Sequence, residues 1–435
     1  MNIGFSKHTL SNGLDVLLHE DRACPIVAVS LWYHVGSKNE TPGHTGFAHL
    51  FEHLMFEGSQ HHDRGYFPPL QGAGASLNGS TNADRTNYWE LLPSNALELA
   101  LWMESDRMGF LLPALTEAKF SNQRDVVLNE RRQNYENRPY GLAPMAMLAA
   151  LFPADHPYHW STIGEIADLH AARIDEVRRF FGTYYHPANA SLAVAGDIET
   201  DAALDLIRAH FEDLPPGPAV APVRPAPVTL AGETRILLED RVELPRLYLG
   251  WMSPAMFKDG DAELDLAADI LANGKTSRLY QRLVYERRIA TDVSAAQNSR
   301  EVAGFVQIAA TAAPGHALAE IEQAIVEEVQ RLAAEGPSED EIDRCRVQAE
   351  AHFMFRLQSV GGFGGKSDQL NAYNTFIGEP GFFDQDLQRY QQVTPRSVQD
   401  AVARHLDHRH RVTLSVVPRG RAELAMPDST PAQVS

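Results

Sequence analysis

Residues 214–227, Leu-Pro-Pro-Gly-Pro-Ala-Val-Ala-Pro-Val-Arg-Pro-Ala-Pro, hold six prolines in fourteen positions, and the chain repeats itself on either side of them. Proline fixes φ and has no N–H, so this run suits neither a helix interior nor a central strand and makes an extended, semi-rigid connector. Before it, Val16-Leu17-Leu18-His19-Glu20-Asp21-Arg22 is echoed after it by Ile236-Leu237-Leu238-Glu239-Asp240-Arg241, each followed by a proline and a strand-like run. Toward the ends, Val177–Tyr185 and Ala190–Ala195 correspond to Val398–Leu406 and Val412–Val417. Self-similarity over roughly 200 residues implies a duplicated unit. Its mixture of strand-like and helical stretches makes the fold α+β. We expect two homologous domains, each an antiparallel-rich sheet packed with helices, over 1–213 and 229–435, with a linker at 214–228.

The copies differ where chemistry is expected. Gly46-Phe47-Ala48-His49-Leu50-Phe51-Glu52-His53-Leu54-Met55-Phe56 reads as a helix, free of proline and rich in helix formers, with Thr41-Pro42 or Thr45 as its start signal. At about 100° per residue, Phe47, Leu50, Phe51, Leu54 and Met55 cover one side, and His49, Glu52, His53 and Phe56 the other. The apolar side anchors the helix in a core. The other presents two imidazoles four residues apart, able to hold one metal ion, and a carboxylate suited to act as general base on water activated by zinc. Such a site needs a third protein ligand and an open position. Glu130 is the candidate, closing a second helix, Thr116–Glu130, with a Thr cap and apolar Phe120, Val126 and Val127. In the second copy, Asp261–Leu271 contains no histidine, so its counterpart helix has lost the ligands.

On these residues the chain resembles, over nearly its whole length, the inverzincins, pitrilysin-like zinc peptidases that include the mitochondrial processing peptidase and the insulin-degrading enzymes. In that family HxxEH is followed at a nearly fixed distance by a glutamate ligand, and Glu130 sits at that distance. The resemblance implies an endopeptidase for peptides or unfolded polypeptides, with one zinc per chain held by His49, His53 and Glu130 and with Glu52 as base. A departure is Gln123, which stands where the family usually carries another glutamate; a neutral amide there can orient a ligand but adds no charge. Ser76, Leu77, Asn78 and Gly79 lie in the small-residue run Gly72–Thr81, which reads as a hairpin with Thr86–Leu92. Small residues there fit a bulged edge, or an edge strand to which a peptide adds through main-chain hydrogen bonds. The family binds substrate on this strand, and Asn78 falls at its asparagine.

A metal-free domain of the family also contributes an arginine and, seven residues later, a tyrosine, to stabilise the oxyanion formed by water attack. Here Val284 and Thr291 occupy those places, and neither can do that. Either Arg287, Arg288 or Tyr285 acts from a shifted position, or a homologous metal-free subunit supplies the pair. In the second case this chain is the zinc-bearing half of a heterodimer that closes a clam-shell chamber; a homodimer is the alternative assembly. Other function classes are a non-catalytic scaffold subunit of a processing-peptidase-like complex, whose metal motif would be eroded, and a metal hydrolase of a non-peptide bond.

The net charge of -19 argues against a nucleic-acid partner, and no apolar run is long enough to cross a membrane. Cys24 and Cys345 lie in different domains and are expected as free thiols. The start, Met1–Lys7, lacks the basic and apolar segments of a secretory signal, giving a cytoplasmic expectation, or a periplasmic one if a signal was removed. His61 and His62 are expected to be solvated, and His156 and His159 to pack or hydrogen-bond in a loop. Gly361-Gly362-Phe363-Gly364-Gly365 lacks the lysine-serine ending of a phosphate loop and reads as a flexible turn or a substrate-contacting loop.

Overall fold

The computed structural model describes residues 3–434. Two six-stranded sheets share one strand order. In the first, β1 (Ser6–Thr9), β2 (Asp15–Glu20), β3 (Ile26–Tyr33), β4 (Ser76–Thr81), β5 (Thr86–Pro93) and β6 (Ala190–Gly196) run β1-β2-β6-β3-β5-β4. In the second, β7 (Thr234–Asp240), β8 (Arg246–Ser253), β9 (Ala290–Asn298), β10 (Gly304–Ala312), β11 (Val412–Pro418) and β12 (Thr430–Pro431) run β12-β7-β11-β8-β10-β9. With the outermost strand of each set aside, the orders coincide and so do the directions. β2 with β6 and β7 with β11 are parallel, and the remaining pairs are antiparallel. The outermost strands differ, since β1 precedes β2 and runs antiparallel to it whereas β12 ends the chain and lies parallel to β7. The echoes at residues 16–22 and 236–241 therefore mark a duplicated α+β topology.

The helices, in chain order, are α1 (Phe47–Leu54), α2 (Phe67–Gly72), α3 (Leu97–Ala114), α4 (Glu117–Arg131), α5 (Ala143–Leu151), α6 (Ile166–Ala171), α7 (Ile174–Tyr184), α8 (Thr200–Phe211), α9 (Asp261–Ala272), α10 (Leu318–Glu335), α11 (Glu339–Arg356), α12 (Lys366–Ile377), α13 (Phe383–Gln391) and α14 (Pro395–His405). The compact units do not follow the linker. The first runs to Asn129 and includes Thr162–Val223 and Ala351–Gln385; the second comprises Glu130–Ser161, Arg224–Glu350 and the chain from Asp386. The cut falls inside α4, which is one continuous helix.

Each sheet is thus covered in part by a helix from the other half of the sequence. In the first unit α12 lies against β2, β3 and β6, and in the second α5 lies against β7, β8 and β11. Polar groups fix where α12 sits. Asn371 Nδ2 donates to the Ser30 carbonyl (2.8 Å), Ser191 Oγ to Asn371 Oδ1 (2.8 Å), Asn374 Nδ2 to Asp15 Oδ2 (3.0 Å) and Trp32 Nε1 to Asp368 Oδ1 (2.9 Å). Buried polar atoms need partners, so a shift of α12 along the sheet would break several bonds at once. With helices on both faces, β3 buries every residue from Val27 to Tyr33, the continuous apolar reading of a central strand. Beneath α1, Arg107 of α3 is fully buried, donating from Nε to Glu104 Oε2 (2.8 Å) with its guanidinium 3.9 Å and 4.0 Å from the Tyr66 and Tyr88 rings.

Candidate metal centre

Helix α1 begins on Gly46, whose φ of 88° is a left-handed conformation that favours glycine. Neither Thr41 nor Thr45 starts it, contrary to the sequence reading. Glu40 does: its Oε2 accepts from Gly46 N–H (2.9 Å) and its Oε1 from Ala48 N–H (2.8 Å). Thr45 is turned to Asp168, donating from Oγ1 to Oδ2 (2.7 Å). Phe47, Leu50, Phe51, Leu54 and Met55 are all buried, as the helical period required. His49 and His53 are partly exposed on the other side, their rings edge to face with centroids 4.8 Å apart.

Helix α4 brings Glu130 to them. Its buried stripe is Phe120, Val127, Leu128 and Arg131, while Val126, apolar like Phe120 and Val127, is 39% exposed. One ligand atom each from His49, His53 and Glu130 lie within 4.8 Å of one another, and among the described residues this is the one group of three such side chains close enough to hold a metal ion. Ligands about 2.0–2.2 Å from a tetrahedral zinc are roughly 3.5 Å apart, so the set has to contract by about 1 Å to grip one. Two neutral imidazoles and one carboxylate suit that ion and leave a coordination position for water. Asn134 Nδ2, 3.3 Å from Glu130 Oε1, backs the carboxylate.

Glu52 sits partly exposed on the same helix, between the two histidines in sequence. Its charge reaches Arg85, whose basicity burial lowers while the Asp368 and Glu52 carboxylates oppose that fall. Arg85 lies 5.0 Å over the Trp32 ring and donates from Nη1 to the Ser80 carbonyl (2.9 Å) and Ser80 Oγ (2.7 Å). Gln123 Nε2 donates to Glu57 Oε1, so its amide ties α4 to the chain leaving α1. Glu40 and Glu57 were missed in the sequence. Glu40 lies six residues before Gly46, outside any local capping spacing, and Glu57 is one charge among many.

Strand β4 lies at the edge of its sheet opposite β1, and it pairs with β5 in unbroken register from Ser76↔Leu91 to Thr81↔Thr86. The edge is therefore regular, not bulged. Ser76 and Asn78 are exposed, Leu77 is half-buried and Gly79 is buried. The Gly361–Gly365 segment is a pinned loop. Lys366 N–H donates to Ser359 O (2.9 Å), Ser367 N–H to Val360 O (3.1 Å) and Gly364 N–H to Asp368 Oδ2 (2.8 Å).

The other histidines do not join the site. The His61 ring bonds Asp106, which also takes the Ser59 hydroxyl, so it is held rather than simply solvated, and His62 Nε2 lies 3.1 Å from Gly65 O. His156 Nδ1 accepts from Tyr158 N–H (3.1 Å), and His159 Nδ1 is 2.7 Å from Phe152 O. In the second unit, Val284 packs against the core and Thr291 is exposed, its hydroxyl donating to Asp292 (3.1 Å). Tyr285, Arg287 and Arg288 are all exposed. Cys24 and Cys345 are free thiols, one exposed and one buried. No described helix is long and apolar enough to cross a membrane.

Two family descriptions match the chain: "Insulinase (Peptidase family M16)" over residues 15–158 and "Peptidase M16 inactive domain" over residues 172–348. The zinc protease PqqE of Helicobacter pylori is 29% identical over 356 residues, covering 81% of this chain and 80% of that one. The fold is close to that of a Helicobacter pylori protease, with a TM-score of 0.86 at 24% identity over 95% of this chain and 100% of the other. It also matches the periplasmic protease PqqL of Escherichia coli, with a TM-score of 0.78 at 19% identity, where 98% of this chain covers 49% of that one. With both halves matched in order and two sheets of one topology, the chain belongs to the pitrilysin-like M16 peptidase family.

Proposed function

We propose that this chain is the zinc-bearing subunit of an endopeptidase for peptides or unfolded polypeptides. The observation that carries the reading is the convergence of His49, His53 and Glu130 within 4.8 Å on two helices, with Glu52 on one of them. A zinc ion bound there would acidify a water molecule near neutral pH and draw charge from a peptide carbonyl. Glu52 accepts the proton of the attacking water and passes it to the amide nitrogen as the C–N bond breaks, leaving a carboxylic acid and an amine. The open edge of β4, at Ser76, Leu77, Asn78 and Gly79, holds the substrate as an added strand through main-chain bonds.

The absence of arginine and tyrosine at positions 284 and 291 favours a homologous metal-free subunit as the source of the oxyanion donors. That this chain matches 49% of the longer PqqL chain in fold is in keeping with a second such unit completing the enzyme. Glu52→Gln is expected to keep about one zinc per chain and lose at least roughly a hundredfold in cleavage rate, whereas His49→Ala loses the metal. Normal turnover by Glu52→Gln, or no zinc uptake by the parent chain, refutes the site. Full turnover by the isolated chain, checked by gel filtration, refutes dependence on the second subunit.

A further inference from the structure

The β4 edge has a defined register. Asn82 N–H donates to Arg85 O (3.0 Å), so residues 82 and 85 form a hydrogen-bonded pair at the hairpin's end. Such pairs alternate along an antiparallel ladder, which turns Ser80, Asn78 and Ser76 toward β5 and leaves the N–H and C=O groups of Leu77 and Gly79 on the open edge. The Gly79 N–H is met there by Asn78 Oδ1 at 2.8 Å. Side chains alternate too. Gly79 faces Phe56 and Tyr88, the side of the ligand-bearing helix, whereas Asn78 shares the opposite face with its cross-strand neighbour Trp89.

On that opposite face two features are held against their own stability. Phe363 is 51% exposed, yet its loop is fixed. Gly361 lies so close to Ala28 that a Cβ would collide with it, Gly364 N–H is bound by Asp368, and Gly362 and Gly364 have φ of 78° and 77°. Its ring meets Trp89 edge to face, centroids 5.5 Å apart, and the Trp89 indole N–H is shut off from solvent with no acceptor among the described residues. The phenyl ring on this rigid loop thus gives one edge contact to the fold and leaves half of its surface in water, beside an indole with an unmatched donor.

We propose that Phe363 and Trp89 form an apolar subsite beside the open edge of β4, which takes one aromatic or branched aliphatic side chain of a bound peptide strand. The inference rests on the peptide-binding reading of β4 given above. A strand added at the edge directs every second side chain to the face of Asn78 and Trp89, about 7 Å apart along the strand, so one such residue meets the ring pair. The residues between them point to the face of the ligand-bearing helix.

The test measures binding, without cleavage. Zinc-loaded Glu52→Gln chain is titrated by fluorescence anisotropy with labelled ten-residue Gly/Ser-rich peptides carrying one Phe, Leu or Ala. Phe and Leu peptides are expected to bind about tenfold more tightly than the Ala peptide, and Phe363→Ala to bring that ratio close to one, with Phe363→Leu in between. A ratio unchanged by Phe363→Ala, while peptides still bind, overturns the subsite alone. No binding of any of these peptides to the zinc-loaded Glu52→Gln chain overturns the peptide-binding reading itself.

Discussion

Replacing Glu40 with alanine removes the two acceptors that close the N-terminus of α1. That helix has only eight residues, its first-turn N–H groups have no partner within the helix, and Gly46 and Ala48 are buried where water is excluded. A hydrogen bond to a carboxylate contributes about 1.5–3 kcal/mol, so the pair at 2.9 Å and 2.8 Å is worth roughly 3–6 kcal/mol before relaxation. Allowing for local rearrangement, we expect about 3 kcal/mol for Glu40→Ala. Glu40→Gln should cost about 2 kcal/mol, because its carbonyl keeps one bond while its NH₂ opposes the other N–H. A helix this short is expensive to nucleate, so the loss falls first on α1. Hydrogen exchange over residues 46–56 should quicken by roughly a hundredfold, and zinc affinity, measured by chelator competition, should fall at least about tenfold. If exchange in that segment and zinc affinity both stay within about twofold of the parent, the carboxylate is not what holds the ligand helix.

Two further outcomes follow from contacts away from the ligands. Gln123→Glu sets a second carboxylate against Glu57 and should loosen α4, weakening zinc binding about tenfold, or roughly 1.4 kcal/mol; the swapped pair Gln123→Glu/Glu57→Gln should return it to within about threefold, and failure of the swap to do so refutes the tie. Asp265 of α9 is pushed from 3.8 up to about 7, chiefly by burial, with Asp261 and Asp269 adding to the rise. The folded chain therefore holds that proton more tightly than the unfolded one, and the stability it contributes is full below about pH 4 and lost as pH rises toward 7. Asp265→Asn should flatten that slope and stabilise the chain at pH 8 by on the order of 2 kcal/mol, half the gap being left to solvent at a partly exposed carboxyl. A melting temperature that tracks the parent's at both pH 4.5 and pH 8 contradicts this.

What was legible in the sequence was local and periodic. The buried side of α1 followed from apolar residues at helical spacing, and the repeated topology from echoed strands. The exposure of Val126 was not legible, because Val126-Val127-Leu128 is a run of three apolar residues, and only the packing of Phe120, Val127 and Leu128 decides which way such a helix turns. The covering of the first sheet by α12 and of the second by α5 was hidden for another reason. Asn371 finds Ser30 across 341 positions of chain, and nothing in the sequence around either residue names the other. Glu40 belongs to the same class, a cap delivered from outside the helix it serves.

The two copies of the repeat differ in what their corresponding helices present. Helices α1 and α9 occupy the same place in their repeats, and both begin on a left-handed glycine, Gly46 and Gly260. Counting from that glycine, His49, Glu52 and His53 correspond to Glu263, Leu266 and Ala267. Leu266 and Ala267 are buried and Glu263 is partly exposed, so two of the three positions that carry the candidate ligands and base in α1 are core in α9. The remaining polar side of α9 is answered within its own unit by α13, where Arg389 Nη2 donates to Asp261 (2.9 Å) and the Tyr390 hydroxyl to Asp265 (2.6 Å). In α1 the polar side meets Glu130 of α4, and what converges is two imidazoles and a carboxylate, a set in which every group can offer a lone pair to the same point. Which helix comes to face the polar side of this element, and with which side chains, is what separates the two copies on one shared topology.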